Sequence, residues 1–349
     1  MSKNTIARRR SRKPAWADLP DEELLDLRFC DLGLRIENTI VEERVERLYE
    51  EMASRGIRLR PHVWLSSEWF SPDGVPGIAV PFYLAHERLT KLENGMMLEV
   101  EGGADAQCMR LLRHEAGHAV CVAYRLHYRH RTREVFGKFS QPYPDSYRPK
   151  SDSRECVVNL DWWYAQSHPA EDFAETFAVW LRSGSRWRQQ YATWPAMRKL
   201  EYVDQLMRQI QGKTPVVRSR RQIEPLRQLR TTLREHYRNK RHGYIIDDWP
   251  DFYDRDLQRP FSDETKYANR QSAAAFLRQV RPEIRKRAAE CTGVPPYTID
   301  QVLRDMIDRC KELKLRLARP RHEAKMDAML MVTVQTMNHL HRGHYRIGL

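Results

Sequence analysis

Hydrophobic side chains recur at helical spacing along much of the chain. Residues 40–52 place Ile40, Leu48 and Met52 on one helix face, and Gly56 marks the end of that helix. The same spacing predicts further helices at about residues 104–126, 169–183, 196–210, 265–290, 299–318 and 322–341. We therefore expect helices in both halves of the chain.

Residues 58–86 change to short alternating or apolar runs. The segments that begin at Pro72 and Pro76 interrupt them with Pro-Asp-Gly and Pro-Gly, which predicts a strand, a turn and a second strand. Residues 97–100 offer a further short strand. Residues 131–158 are rich in Pro, Ser, Tyr and Arg and predict a long loop, and loops of this length are often functional.

The charge composition changes near Gly212. Residues 213–241 carry ten Lys or Arg against two Glu, and predicted helices follow. A length of 349 residues also suggests two domains or one domain with a large appendage. We expect a disordered basic tail at residues 1–13, an α+β domain at residues 14–212, and a mainly helical region at residues 213–349.

The composition, with 41% hydrophobic and 31% charged residues, is typical of a folded protein and not of a disordered one. No apolar run is long enough to cross a bilayer, and the basic start of the chain lacks the apolar stretch of a secretory signal. Six cysteines without a CxxC pair favour neither a disulfide framework nor a cysteine zinc site. We expect a cytoplasmic protein.

The formal net charge of +13 makes an acidic partner, such as a nucleic acid, worth considering. However, the 60 basic residues are spread along the whole chain among 47 acidic ones, which also fits an ordinary solvated surface. Charge alone therefore assigns no binding function.

The sequence HEAGH at residues 114–118 contains the pattern HExxH. On a helix, side chains four residues apart share one face, so His114 and His118 can bind the same ion. Glu115 lies about 100° further round the helix, within reach of a water molecule on that ion. Two neutral imidazoles beside a carboxylate base are what zinc-promoted hydrolysis requires.

A second helix, with the sequence PAEDFAETFAVWL at residues 169–181, offers carboxylates for the same ion. Its aromatic residues gather on one side, and Glu171 and Glu175 lie nearly opposite, flanked by alanines that permit close helix packing. A solvated amphipathic helix is the alternative, but the solvent face of this Arg-rich chain should be longer and more charged. A carboxylate on a packed face must be paired or bind a metal.

Two neighbouring residues fit other roles. Cys121 lies one turn beyond His118, but a catalytic zinc ion needs an open position, so we expect this cysteine to be a small buried residue. His168 immediately precedes Pro169, which places it at the entry of the second helix.

HEAGH followed by EDFAE resembles the gluzincin group of zinc peptidases, which includes thermolysin and the lethal-factor type of toxin protease. The stretch DWWYAQSHPAEDFAETFAVWL, at residues 161–181, more closely resembles a widespread, little-characterised family of zinc-binding metallopeptidases. The resemblance covers roughly residues 20–210 and is specific at the two motifs. It implies a zincin-like core, in which a small mixed sheet packs on the HExxH helix and on the glutamate-bearing helix.

The resemblance also implies a role for each site residue. The ligands it implies for one Zn²⁺ ion are His114, His118 and Glu171. Glu115 matches the general base, and Glu175 matches the carboxylate that orients a ligand histidine. Tyr164 matches the tyrosine near the developing oxyanion. Glu175 stands where thermolysin has aspartate, which sets the chain apart from thermolysin itself.

Two functions from different classes follow. The first is a zinc metallopeptidase that hydrolyses a peptide or protein substrate by metal-activated water, with Glu115 as base. In the resembling families the substrate pairs with an edge strand, for which residues 74–83 are the candidate. The alternative is a zinc-binding regulatory protein with little turnover, whose basic segment at residues 213–241 contacts nucleic acid or an acidic protein. Glu115 favours the enzyme, because a structural site has no use for that base.

Overall fold

The computed structural model describes residues 14–150, 152–242, 253–341 and 347–348, so the tail expected at residues 1–13 lies outside the described part. Contacts within the chain divide it into two units. The first comprises the chain up to Met96 together with Val100–Arg238, and the second comprises Met97–Glu99 together with Asn239–Gly348.

The protein is a mixed α+β structure that is mostly helical, in agreement with the predicted fold class. Its helices are α1 (Asp21–Leu25), α2 (Ile40–Ser54), α3 (Glu87–Met97), α4 (Asp105–Ala123), α5 (His130–Phe136), α6 (Pro169–Leu181), α7 (Trp187–Gln190), α8 (Met197–Ile210), α9 (Leu233–His242), α10 (Tyr253–Leu257), α11 (Ala273–Thr292), α12 (Pro296–Glu312) and α13 (Arg321–His341). Its strands are β1 (His62–Ser66), β2 (Gly77–Pro81), β3 (Ser146–Tyr147), β4 (Phe261–Ser262), β5 (Arg316–Leu317) and β6 (Ile347–Gly348). Within the described residues, none of the helices combines the length and apolar character that crossing a membrane requires.

Strands β1 and β2 pair in parallel, from His62 opposite Gly77 to Ser66 opposite Pro81. The connection between them also contributes to the pairing, because Phe70 forms an antiparallel bridge with Ala79 on β2. The sequence predicted both strands and the turn residues between them. At Ala79, β2 has a backbone neighbour on each side, so this part of the candidate substrate strand is not a free edge.

Two local expectations were wrong. The strand expected at residues 97–100 is absent, and α3 instead extends to Met97. Leu89, Leu92 and Met97 are all buried on this helix. The helical spacing of hydrophobic residues over these eleven positions therefore determines the local structure more strongly than the short alternating pattern at residues 97–100. The long loop expected at residues 131–158 contains helix α5 and the short strand β3.

Most of the basic segment that follows Gly212 belongs to the first unit and bonds to strand β1. Three buried side chains of β1 bond to its backbone: His62 Nε2 lies 2.9 Å from the carbonyl oxygen of Arg221, Trp64 Nε1 donates to Ile223 at 2.9 Å, and Ser66 Oγ donates to Glu224 at 2.7 Å. The first unit accordingly continues to Arg238, beyond the change in charge composition at Gly212.

Helix α4 lies at the centre of the first unit, in contact with β2, α2 and α6. Most of its residues from Cys108 to Ala123 are buried, including Ala116 and Ala119, which lie close to His114 and His118 on the helix. A helix surrounded in this way can direct polar side chains only into a built site, because an unpaired polar group in such a core costs several kcal/mol (about 2–7).

The second unit packs α11 against α12 and α13, and β4 pairs antiparallel with β5. Asp300 on α12 is buried there and pairs with Arg281, Arg285 and Arg304. Helix α12 begins at Pro296, and Thr298 lies buried in its first turn.

Candidate metal centre

Helices α4 and α6 approach each other at Gly117. A Cβ atom at this glycine would lie 2.8 Å from Ala174 Cα and 3.1 Å from its carbonyl oxygen. Only a residue without a side chain therefore fits between the two helix backbones. This close approach brings the histidines of α4 within bonding range of the glutamates of α6.

Three donor atoms meet where the helices cross. His114 Nε2 lies 2.9 Å from Glu171 Oε2, and His118 Nε2 lies 3.1 Å from the same oxygen. The two Nε2 atoms are 3.1 Å apart. The structure therefore brings together the three residues that the sequence analysis named as metal ligands.

The dimensions of this triangle suit zinc. Tetrahedral ligand atoms at 2.0–2.1 Å from Zn²⁺ lie about 3.3 Å apart, slightly wider than the observed triangle. Two imidazole nitrogens and one carboxylate oxygen are also a donor set that zinc prefers. Glu171 is buried, and its histidine neighbours hold its pKa well below the usual value against the opposing effect of burial. An ionised carboxylate thus faces both imidazoles.

Glu175 lies behind His114 and is completely buried. Its Oε1 is 2.8 Å from His114 Nδ1, so the carboxylate accepts the Nδ1 hydrogen and leaves Nε2 available as a ligand. Glu175 also accepts hydrogen bonds from the backbone N–H of Asn159 and Leu160 and from the Asn159 side chain. These contacts fix the carboxylate, which in turn fixes the imidazole.

Glu115 is 7% exposed, and its Oε2 has no hydrogen-bond partner among the described residues. Burial raises the pKa of this carboxyl, although the charges of His114 and His118 act in the opposite direction. Ser71 Oγ donates to the Glu115 backbone carbonyl at 3.0 Å, which ties the β1–β2 connection to the helix at this point. A buried, unpaired carboxylate oxygen beside a donor triangle is available to bond to a water molecule.

Tyr164 lies in a short 3₁₀ helix, Asp161–Gln166, just before α6. Its half-buried ring packs against His114, with the ring centroids 5.6 Å apart. Burial and the nearby carboxylates of Glu171 and Glu115 raise the pKa of its hydroxyl, which therefore stays protonated. The structure thus places Tyr164 beside the donor triangle, in contact with His114.

Trp162 and Trp163 precede Tyr164 and both adopt left-handed backbone conformations, with φ of 63° and 53°. Such a conformation costs roughly 1–3 kcal/mol at a residue other than glycine. Tyr147 Oη donates to the Trp162 carbonyl at 3.0 Å and holds this turn in place. This turn places the ring of Tyr164 against His114, five residues before α6 begins at Pro169.

Neither a protein-family model, nor a curated protein, nor a solved structure matches this chain. The geometry and chemistry of the site therefore carry the functional argument.

Tyr143 is a site residue that the sequence analysis did not single out. Its hydroxyl donates to Glu171 Oε1 at 2.6 Å, on the oxygen that does not face the histidines. Tyr143, which is 49% exposed, comes from the predicted loop at residues 131–158, where no periodicity marks which side chain contacts the site. The sequence feature that could have identified Tyr143 is its position between two prolines in a loop long enough to be functional.

A buried ion pair anchors α6 next to the ligand glutamate. Lys199 Nζ on α8 lies 2.6 Å from Asp172 Oδ2 and donates to the Glu155 carbonyl at 2.6 Å. Burial disfavours the ammonium, but the charge of Asp172 holds the pKa of Lys199 above its usual value. Asp172 follows Glu171 directly, so this pair fixes the first turn of α6 on its outer side.

The two residues given other roles occupy them. Cys121 is buried and lies 3.7 Å from His127 Nδ1, outside the donor triangle. His168 is the N-cap residue of α6, and its Nδ1 accepts the Ala170 N–H at 3.1 Å.

Proposed function

We propose that the protein is a zinc-dependent metallopeptidase of the gluzincin type with a zincin-like core. The observation that carries this proposal is the buried, unpaired carboxylate oxygen of Glu115 beside a triangle of three metal-donor atoms. A structural zinc site is closed by four protein ligands, whereas three ligands and an adjacent carboxylate fit a hydrolytic site. The expected substrate is a peptide or a protein.

Zn²⁺ held by His114, His118 and Glu171 would supply a Lewis acid and lower the pKa of a coordinated water molecule. Glu115 would be the general base, which accepts a proton from water and later donates it to the leaving amine. Its burial suits both tasks: a raised pKa makes the carboxylate a stronger base towards water, and the protonated carboxyl is still acidic enough to give its proton to an amine.

Tyr164 is suited to stabilise the negative charge that develops on the substrate carbonyl oxygen. Its hydroxyl remains a hydrogen-bond donor because its pKa is raised, and its ring is held against the ligand His114. Glu175 keeps His114 in one tautomer throughout, since the Nδ1 hydrogen stays bonded to a buried carboxylate.

The direct test uses the full chain with one equivalent of Zn²⁺ and a mixture of peptides of varied sequence, with products identified by mass spectrometry. We expect cleavage by the wild type and a loss of at least about 100-fold in Glu115→Gln, because general-base catalysis contributes roughly 10²–10⁴-fold. Zinc content should be unchanged in Glu115→Gln and should fall in Glu171→Ala.

Undiminished cleavage by Glu115→Gln would refute the base assigned here, and full zinc content in Glu171→Ala would refute the ligand. Zinc binding without any cleavage by the wild type would instead support the binding protein with little turnover. A salt-dependent affinity for DNA or RNA would identify the nucleic-acid version of that alternative.

A further inference from the structure

Tyr143 is connected to the donor triangle through one oxygen of Glu171. Its hydroxyl donates to Oε1 at 2.6 Å, while Oε2 faces the Nε2 atoms of His114 and His118. The two oxygens of one carboxylate thus have different partners. A phenol that donates to Oε1 competes with any metal ion for that oxygen.

The backbone around Tyr143 is restricted on both sides. Pro142 and Pro144 flank it, so its own φ/ψ choices are limited to extended conformations by the proline that follows. The backbone of Tyr143 therefore loses little further conformational freedom when its hydroxyl bonds to Glu171.

His168 holds the ring of Tyr143 from the other face. The two rings stack with centroids 3.9 Å apart and an interplanar angle of 19°. His168 Nδ1 accepts the Ala170 N–H, so its Nε2 carries the hydrogen and donates to the Gln141 carbonyl at 3.0 Å. The N-cap residue of α6 therefore binds the loop twice, at Gln141 and at Tyr143.

We propose that Tyr143 is a positioning residue that keeps Glu171 coordinated to the metal through Oε2 alone. This inference rests on the zinc site proposed above. With Oε1 held by the phenol, the protein supplies three donor atoms and a fourth position remains for water, as a hydrolytic zinc site requires. Without the hydroxyl, Glu171 can turn both oxygens towards the ion and occupy that position.

The first measurement compares zinc affinity in Tyr143→Phe and in the wild type, by competition with a chelator of known affinity. We expect the variant to bind zinc at least as tightly as the wild type, because Oε1 becomes a further donor atom. Zinc binding weakened about 10–100-fold, the typical result of losing a hydrogen bond that only orients a ligand, would contradict the proposal. Tyr49→Phe is the matched control, because its hydroxyl on α2 also donates a hydrogen bond, but to the Pro61 carbonyl and not to a proposed ligand. The control should keep wild-type zinc affinity.

The second measurement replaces zinc by Co²⁺, whose visible absorption is strong in four-coordinate sites and weak at higher coordination. We expect a strong four-coordinate spectrum for the wild type and a weaker one for Tyr143→Phe. Because this readout needs no substrate, the inference remains testable if the wild type cleaves no peptide.

Zinc affinity of Tyr143→Phe within about twofold of the wild type, with an unchanged cobalt spectrum, would overturn the proposal. If Tyr143→Phe fails to fold, as judged by circular dichroism of the metal-free protein, the wild-type cobalt spectrum decides alone. A weak spectrum, typical of higher coordination, in the wild type would then contradict coordination through Glu171 Oε2 alone.

Discussion

Gly117 on α4 lies so close to Ala174 on α6 that an added Cβ would be 2.8 Å from the Ala174 Cα atom. The two helices carry every atom of the donor triangle, two imidazole nitrogens from one helix and a carboxylate oxygen from the other. The distance between helix backbones therefore decides whether one ion can contact all three donors.

Gly117→Ala should separate these helices. In an unconstrained helix this substitution stabilises by up to about 1 kcal/mol, but here the new methyl group meets backbone atoms of Ala174. We expect a net loss of about 1–3 kcal/mol in the free energy of unfolding and weaker zinc binding. Urea denaturation and zinc titration measure the two effects.

Gly95→Ala is the matched control, because Gly95 also lies in a helix and an added Cβ there meets nothing within 4 Å. It should leave zinc affinity unchanged and should not destabilise the protein. Equal behaviour of the two variants would show that the close approach of α4 and α6 has no effect on the site.

Glu175→Gln should weaken zinc binding, although Glu175 is not itself one of the proposed ligands. The neutral amide has one acceptor oxygen, whereas Glu175 accepts hydrogen bonds from His114, Asn159 and Leu160. We expect zinc affinity to fall about 10–100-fold and the melting temperature to fall with it. Glu134→Gln, on a largely exposed side chain, is the control. Unchanged zinc affinity in Glu175→Gln would mean that other contacts orient His114.

Lys199→Met should leave the Asp172 carboxylate buried without its cation. Removing one partner of a buried ion pair costs about 3–5 kcal/mol. Burial raises the pKa of Asp172 to about 6 even beside Lys199, so the carboxyl left behind must either take up a proton or stay charged without a partner. We expect a loss near the lower end of that range in urea denaturation. Lys138→Met, on an exposed lysine, should change stability by less than about 0.5 kcal/mol.

The double variant Lys199→Met with Asp172→Asn should recover part of this loss, because the amide carries no charge. The recovery measures the coupling of the two residues. If the double variant is as unstable as Lys199→Met alone, the ion pair does not account for the effect.

Asp300→Asn should destabilise the second unit in a pH-dependent way. Asp300 is buried, yet the hydrogen bonds from Arg281 and Arg285 hold its pKa below the usual value. A carboxyl whose pKa is lower in the folded protein than in the unfolded chain stabilises the folded state at pH values above its unfolded-state pKa of about 3.9. This stabilisation is lost as the pH falls through the folded-state pKa. We expect a destabilisation of about 2–4 kcal/mol at pH 7.

The stability difference between wild type and Asp300→Asn should be constant from about pH 8 to pH 5 and should narrow below about pH 4. Denaturation at several pH values measures it. Asp263→Asn, on an exposed side chain of the same unit, should show a small difference that does not change in this way. A difference that widens on acidification would contradict the lowered pKa.

The sequence predicted the parts of the site that follow helical periodicity. His114 and His118 share a face because they are four residues apart, and Glu171 and Glu175 share one for the same reason. Helix packing then brings the two faces together at a glycine. Each step depends on local spacing, which a single sequence records.

Tyr143, Asn159 and Leu160 could not be found in this way. They lie in irregular segments, and their contacts depend on how the loop folds back on α6. The parallel pairing of β1 and β2 was equally hidden, because the alternation of side chains along a strand does not encode the direction of its neighbour. Tertiary contacts, and not spacing, decide these features.

The backbone carbonyls of residues 221–224 complete the hydrogen bonding of His62, Trp64 and Ser66 on β1. A shortened polypeptide that stopped at Gly212, where the charge composition changes, would leave these polar groups without acceptors and would uncover the indole of Trp64. One that ended after Arg238 would retain them. The shortest stretch of this chain that keeps the hydrogen bonding of β1 therefore includes the basic residues that follow Gly212.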